Sequence, residues 1–154
     1  MVAQHLGGVS ASVDELNKLD GLIGSVNDLN IVEYIPRSVA FTIGEEGGDV
    51  INVACQVKDA DGANMDGVLN VLAFLTDSSG GLDIAATAPD GGVAAGTNGK
   101  ILVQVVAGKM FWLQTNEAGQ VDINITESGA DTWYLLVNLI GTIFVTSGAI
   151  NFTT

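Results

Sequence analysis

One stretch, residues 56–71, QVKDADGANMDGVLNV, constrains the fold more than any other. The strand leading into it, VINVACQVK, alternates apolar and polar residues and so sets Ile51, Val53, Cys55 and Val57 on one face. Asp61-Gly62 then supplies a sharp reversal, because glycine adopts left-handed backbone geometry without steric cost. Gly67 opens a second strand, VLNVLAFLT over residues 68–76, which is apolar at nearly every position. Both faces of such a strand need cover. One is expected in the core and the other against a partner subunit or the N-terminal arm.

The same period of two recurs along the chain. SVAFTIG puts Val39, Phe41 and Ile43 on one side, and QVDINIT does so with Val121, Ile123 and Ile125. In TWYLLV one of Trp133 and Tyr134 faces inward and the other outward, read as a core ring plus a partly exposed one, the alternative being an outer ring at a subunit contact. ILVQVVAGKMFWLQT reads as one or two strands with Gly108 as a bend or bulge. TWYLLVNLIG and TIFVTS read as a hairpin, and AINFTT as a closing edge strand. The sum is about seven to nine strands with turn signals roughly every 8–12 residues, the pattern of an all-β sandwich. Residues 77–100, rich in Gly, Ala, Ser, Thr and Asp, read as a long excursion with at most a short strand, able to fold over a neighbouring subunit.

The first 34 residues have a different texture. Ser12-Val13-x-Glu15-Leu16-Asn17 recurs as Ser25-Val26-x-Asp28-Leu29-Asn30. Each copy has a Ser N-cap with an acid three residues on, a capping box that starts a brief helical turn. Helices this short need tertiary or intersubunit packing. The segment is read as an anchoring or oligomerising arm whose contacts fall to Val13, Leu16, Leu19, Leu22, Val26 and Leu29, the alternative being a loose tail with chance similarity. Pro36 marks the boundary, giving an arm over 1–34 and a sandwich domain over 35–154.

Charge narrows the partners. Five Lys and Arg against 18 Asp and Glu leave a net charge of -13, which repels phosphate backbones and argues against nucleic acid. Residues 1–12 lack the basic start and apolar core of a signal peptide, and no run approaches the roughly 20 apolar residues of a membrane span.

Little in the chain suggests catalysis. His5 is the single histidine and has no Cys or carboxylate beside it, so neither a zinc cluster nor a Ser-His-Asp group assembles. No Gly-rich loop followed by Lys is present to hold phosphate. Asp59, Asp61 and Asp66 offer oxygens at a turn, without the later ligands of a calcium loop; a plain turn is the simpler reading, as it is for Glu45, Glu46 and Asp49. Cys55, alone in the chain, reads as a buried thiol. Asn124-Ile125-Thr126 and Asn151-Phe152-Thr153 match a glycosylation sequon by chance. The chain reads as a non-enzyme without cofactor or metal, and a small hydrolase is the least supported alternative.

Two resemblances add to this reading. Val57, Lys58, Asp59, Gly62, Gly67 and Val68, followed by Thr115, Gly119, Val121 and Ile123 and by Tyr134 at an aromatic position, resemble the bacterial Ig-like modules of the invasin and intimin type. The excursion at 77–100 departs from that pattern. The resemblance implies an immunoglobulin-like β-sandwich. Separately, Glu15-Leu16-Asn17-Lys18-Leu19-Asp20-Gly21, with its degenerate copy Asp28-Leu29-Asn30, resembles the ELN-x-LDG repeats of tailed-phage virion proteins. Together they imply a phage structural protein: a decoration, or cement, protein on the exterior of the capsid, with the major capsid protein as partner and self-association, a trimer being favoured. The competing expectations are a tail-fibre or baseplate component, or an adhesin-type module, binding a host surface glycan.

Overall fold

The computed structural model describes residues 35–139, 141 and 143–153. The arm and its six candidate contact residues, Val13, Leu16, Leu19, Leu22, Val26 and Leu29, lie outside the described residues.

Ten strands follow in chain order: β1 (Ser38–Ile43), β2 (Val50–Lys58), β3 (Asn70–Thr76), β4 (Gly92–Ala95), β5 (Lys100–Val106), β6 (Met110–Gln114), β7 (Gln120–Thr126), β8 (Thr132–Asn138), β9 (Phe144–Thr146) and β10 (Ile150–Asn151). They build two sheets in which every pairing is antiparallel. The first has the order β1-β2-β7-β4; the second runs β10-β8-β3-β6-β5, with β9 also on β8.

The predicted alternation holds where it was clearest. Ile51, Val53, Cys55 and Val57 of β2 and Val121, Ile123 and Ile125 of β7 face Val71, Ala73 and Leu75 of β3, Phe111 and Leu113 of β6, and Trp133, Leu135 and Val137 of β8 across one buried core. Trp133 takes the inward position and Tyr134 stays half-buried on the other face, so the two aromatics divide as expected. The Trp133 ring meets Phe152 edge to face at 5.9 Å, a favoured aromatic geometry.

Two features differ from the sequence reading. The strand expected from Val68 begins at Asn70. Thr115 is the reason: its Oγ1 accepts the Leu69 amide at 2.8 Å and donates to the Gly67 carbonyl at 3.0 Å, so a side chain takes one half of the ladder pair while the Thr115 amide still bonds the Leu69 carbonyl at 2.9 Å. The strands number ten rather than seven to nine. TIFVTS and AINFTT form the separate strands β9 and β10, and between them Ser147 stays on β8: its Oγ accepts the Leu135 amide and its own amide donates to the Leu135 carbonyl, both at 2.9 Å. The stretch 101–115 is two strands, with Gly108 at the turn between them (φ 68°) and Lys109 N–H bonded to the Val106 carbonyl.

The excursion over 77–100 is used within the molecule. Ala85 donates its amide to Leu75 O, and Ala86 donates to the Asp77 carboxylate. Asp90 accepts from the Ser128 hydroxyl and amide, which holds its carboxyl below the usual range. The chain thus crosses from β3 in the second sheet to β4 in the first. It crosses back through residues 96–99, which wrap Asp122: the buried carboxylate accepts the Thr97 and Asn98 amides at 3.1 and 3.2 Å. Gly96 is needed at this corner, because a Cβ there would come within 2.9 Å of Asp122 and 3.0 Å of Asn52.

Candidate functional site: the outer face of the second sheet

The turns singled out for chemistry are occupied by backbone. Asp59 Oδ1 accepts the amides of Asp61 and Ala63, each at 2.9 Å, and Lys58 Nζ reaches the Gly62 carbonyl and Asn64 Oδ1. This is a side-chain-capped turn. Glu46 accepts the Thr153 amide and hydroxyl, pinning the C-terminal segment to the β1–β2 loop. Among the described residues no group of three His, Cys, Asp or Glu could hold a metal ion. Cys55 is buried, and burial, with the Asp122 charge adding to it, pushes the thiol up to about 12. A thiol so shifted stays protonated and unreactive at neutral pH.

What the fold assembles instead is an apolar surface. A sandwich sheet ordinarily shows polar side chains on its outer face. The first sheet follows that rule: Thr42, Asn52, Gln56, Gln120 and Asn124 point outward among alanines, with Asn52 Nδ2 donating to Asn124 Oδ1 at 2.8 Å. A shallow groove of about 150 Å³ runs over it, lined by Ala40, Thr42, Ala54, Gln56, Gln120 and Asp122 among others.

The second sheet breaks the rule in register. One row across five strands reads Phe144 on β9, Asn138 on β8, Leu72 on β3, Trp112 on β6 and Val103 on β5. The next row reads Thr146, Leu136, Phe74, Met110 and Val106. Leu136 and Phe74 are buried although they lie outside the inter-sheet core, whereas Trp112 is 41% exposed and Phe144 44%. Asn70, Gln114 and Lys100 form a polar row alongside, where Gln114 Nε2 donates to Asn70 Oδ1 at 2.9 Å.

Two bulges in β5 enlarge this surface. The register against β6 shifts between Ile101 and Val103 and again between Gln104 and Val106. Ile101 packs on the core, and Gln104, three residues on, also turns inward to donate to the Val93 carbonyl of the first sheet at 3.0 Å. In a regular strand residues three apart would face opposite ways. The bulges absorb the mismatch and leave Leu102, Val103 and Val105 at 45%, 50% and 52% exposure.

Negative charge avoids the same region. No Asp or Glu occurs between Asp90 and Glu117, and the β5–β6 hairpin carries Lys100 and Lys109 instead. The two-faced character of β3 was expected from VLNVLAFLT, but the part played by β5 was not. Its sequence, KILVQVV, shows no turn residue that would announce a bulge. Comparison of the chain with protein-family models, with curated proteins and with solved structures returns no match.

Proposed function

We propose that this chain is a virion structural protein of a tailed phage, a capsid decoration protein that binds the outside of the head through residues 1–34 and displays or bridges with an immunoglobulin-like sandwich. The observation that carries the reading is an acidic β-sandwich with a largely apolar sheet face free of carboxylates, in a chain whose residues 1–34 bear the ELN-x-LDG-like repeat. The strand order supports the Ig-like part. β1-β2-β7-β4 has the neighbours of strands A-B-E-D in immunoglobulin domains, and β9 with β10, then β8 and β3, has those of G-F-C. The β5–β6 hairpin is an addition, inserted between the D-like and E-like strands and paired beside β3. No catalytic step is assigned to the domain. Its action is mechanical: contact with the assembled shell favours that state by mass action, and clustering of arms at three-fold positions multiplies a weak contact into avidity.

Electron cryomicroscopy of the parent particles tests this. The expected result is density for the chain at regular lattice positions on the head exterior, lost when residues 1–34 are deleted. Density on the tail, or retention of head density after the deletion, overturns the assignment of site.

A second reading, attachment to a host surface glycan, draws on the exposed rings of Trp112 and Phe144 on one sheet face, since an aromatic face can stack on a sugar. Glycan-array binding that disappears in Trp112→Ala would favour it.

A further inference from the structure

We infer that the outer face of the second sheet, centred on Leu72, Val103, Trp112 and Phe144, is where a second copy of this chain docks, face to face. This does not rest on the virion reading and would hold for any use of the domain.

The occupant follows from charge. A basic partner would be met through the acids, and these are absent from the outward positions of β3, β5, β6, β8 and β9, where Lys100 is the one charged residue. A strongly acidic partner would need more than the two lysines of the β5–β6 hairpin. Two copies at -13 each repel through most of their surface. That repulsion is least where the hairpin and its neighbouring strands present no carboxylate. An apolar centre rimmed by the amides of Asn70 and Gln114 suits a partner with the same surface, as an isologous twofold contact requires.

Edge pairing is not the mode of contact. β5 is the edge of its sheet, and an unprotected apolar edge invites strand addition. Its two bulges interrupt the row of free amides and carbonyls, and the opposite edge is divided between the short strands β9 and β10. The side chains remain available while the backbone does not, so the copies meet by packing sheet on sheet.

Size sets the strength. Five strands about 4.8 Å apart make a face roughly 24 Å wide. At about 20 Å long it spans on the order of 500 Å² in projection per copy, part of it already covered by the chain at Phe74 and Leu136, well below the ~800 Å² of a standard interface. Association should therefore be reversible and dependent on concentration, and it should tighten as salt screens the like charges.

Sedimentation velocity of the full chain and of Val103→Asp, from low to several hundred micromolar, tests the inference. The wild type is expected to gain mass with concentration by a factor of two over the variant at the top of the range. Its Trp112 emission should shift to the blue in parallel, while buried Trp133 gives a constant background. Val103 is half exposed, so the variant keeps its fold, checked by an unchanged thermal transition. Equal masses for wild type and variant at every concentration overturn the inference, whether both stay monomeric or both assemble through the arm. So does glycan-dependent burial of Trp112 in a chain that never gains mass.

Discussion

The two outer faces of the sandwich are built by the same period of two and come out opposite in character. On the first sheet the outward positions hold Thr42, Asn52, Gln56 and Asn124, which water can solvate or which bond to one another. On the second they hold partly exposed Leu72, Val103, Trp112 and Phe144, beside Phe74 and Leu136, which the chain itself already buries. The inward positions of both sheets are alike, so stability of the core does not explain the difference. An apolar outer face adds little to folding while it stays wet and becomes favourable only when something covers it. The first face therefore reads as finished surface, and on the second the exposed row through Phe144, Trp112 and Val103 reads as surface reserved for contact.

The largest expected effect that would break this contrast is at Leu136, which lies on the outer side of the second sheet and yet is fully buried. Leu136→Ala should cost about 2–5 kcal/mol in urea unfolding, the range for a core leucine. A loss as small as that of Asn52→Ala, about 1 kcal/mol for one side-chain hydrogen bond, would mean the two faces are energetically the same.

Next is the device that carries the chain from one sheet to the other. Asp122→Ala removes the acceptor of the Thr97 and Asn98 amides. Two orphaned amides at a partly buried corner should cost about 1–3 kcal/mol, with hydrogen exchange accelerating first at residues 97 and 98. Unchanged protection there would show that the crossover stands without this anchor.

Cys55 adds a pH-dependent effect behind the first face. Its thiol is raised from 9.0 to about 12 by burial and then by Asp122, so the folded state holds the proton over a range in which the unfolded state has lost it. The contribution is complete below pH 9 and is lost as pH rises from 9 towards 12. Unfolding followed across that window should fall in free energy by up to about 1.4 kcal/mol per pH unit from this group, and Cys55→Ala should flatten the slope. An equal slope in the variant would assign the alkaline loss to other groups.

The smallest expected effect is on the second face itself. Val103→Asp should change the stability of the unassociated chain by less than about 1 kcal/mol, the span of strand preference at an exposed position. A larger loss would place Val103 in the domain's own packing and blur the distinction between faces.

Much of this contrast was legible beforehand, for an identifiable reason. Residues such as Val53, Ile123 and Trp133 declare their side by alternation, and VLNVLAFLT declares a strand buried on both sides, because strand geometry sends neighbours to opposite faces whatever the partner is. The turns at Gly62 and Gly108 were legible because a left-handed φ favours glycine. Less was visible at Asp122, which looks like any polar residue in QVDINIT until the loop over 96–99 closes on its carboxylate. Gly119 gave a turn but not its tightness: a Cβ there would lie 2.1 Å from the Met65 carbonyl oxygen, a contact between residues far apart in the chain. The candidate contacts of the arm belong to residues the structure does not describe; of the outer face of the second sheet the β3 part was expected from VLNVLAFLT, and the rows joining it to β5, β6, β8 and β9 came from the structure.

By itself the sequence determined an all-β chain, the inward faces of its main strands, the turns between them, a buried thiol, and an acidic surface with one stretch free of carboxylates. These follow from local chemistry: period, backbone preference and charge are properties of neighbours in the chain. The tertiary structure decided which sheet each strand joined, where β5 bulged, how the Ser147 and Thr115 side chains took over single ladder bonds, and that Phe144, Leu72, Trp112 and Val103 share one row. Those depend on pairing between strands far apart in sequence, where a shift of one residue turns every side chain to the other face.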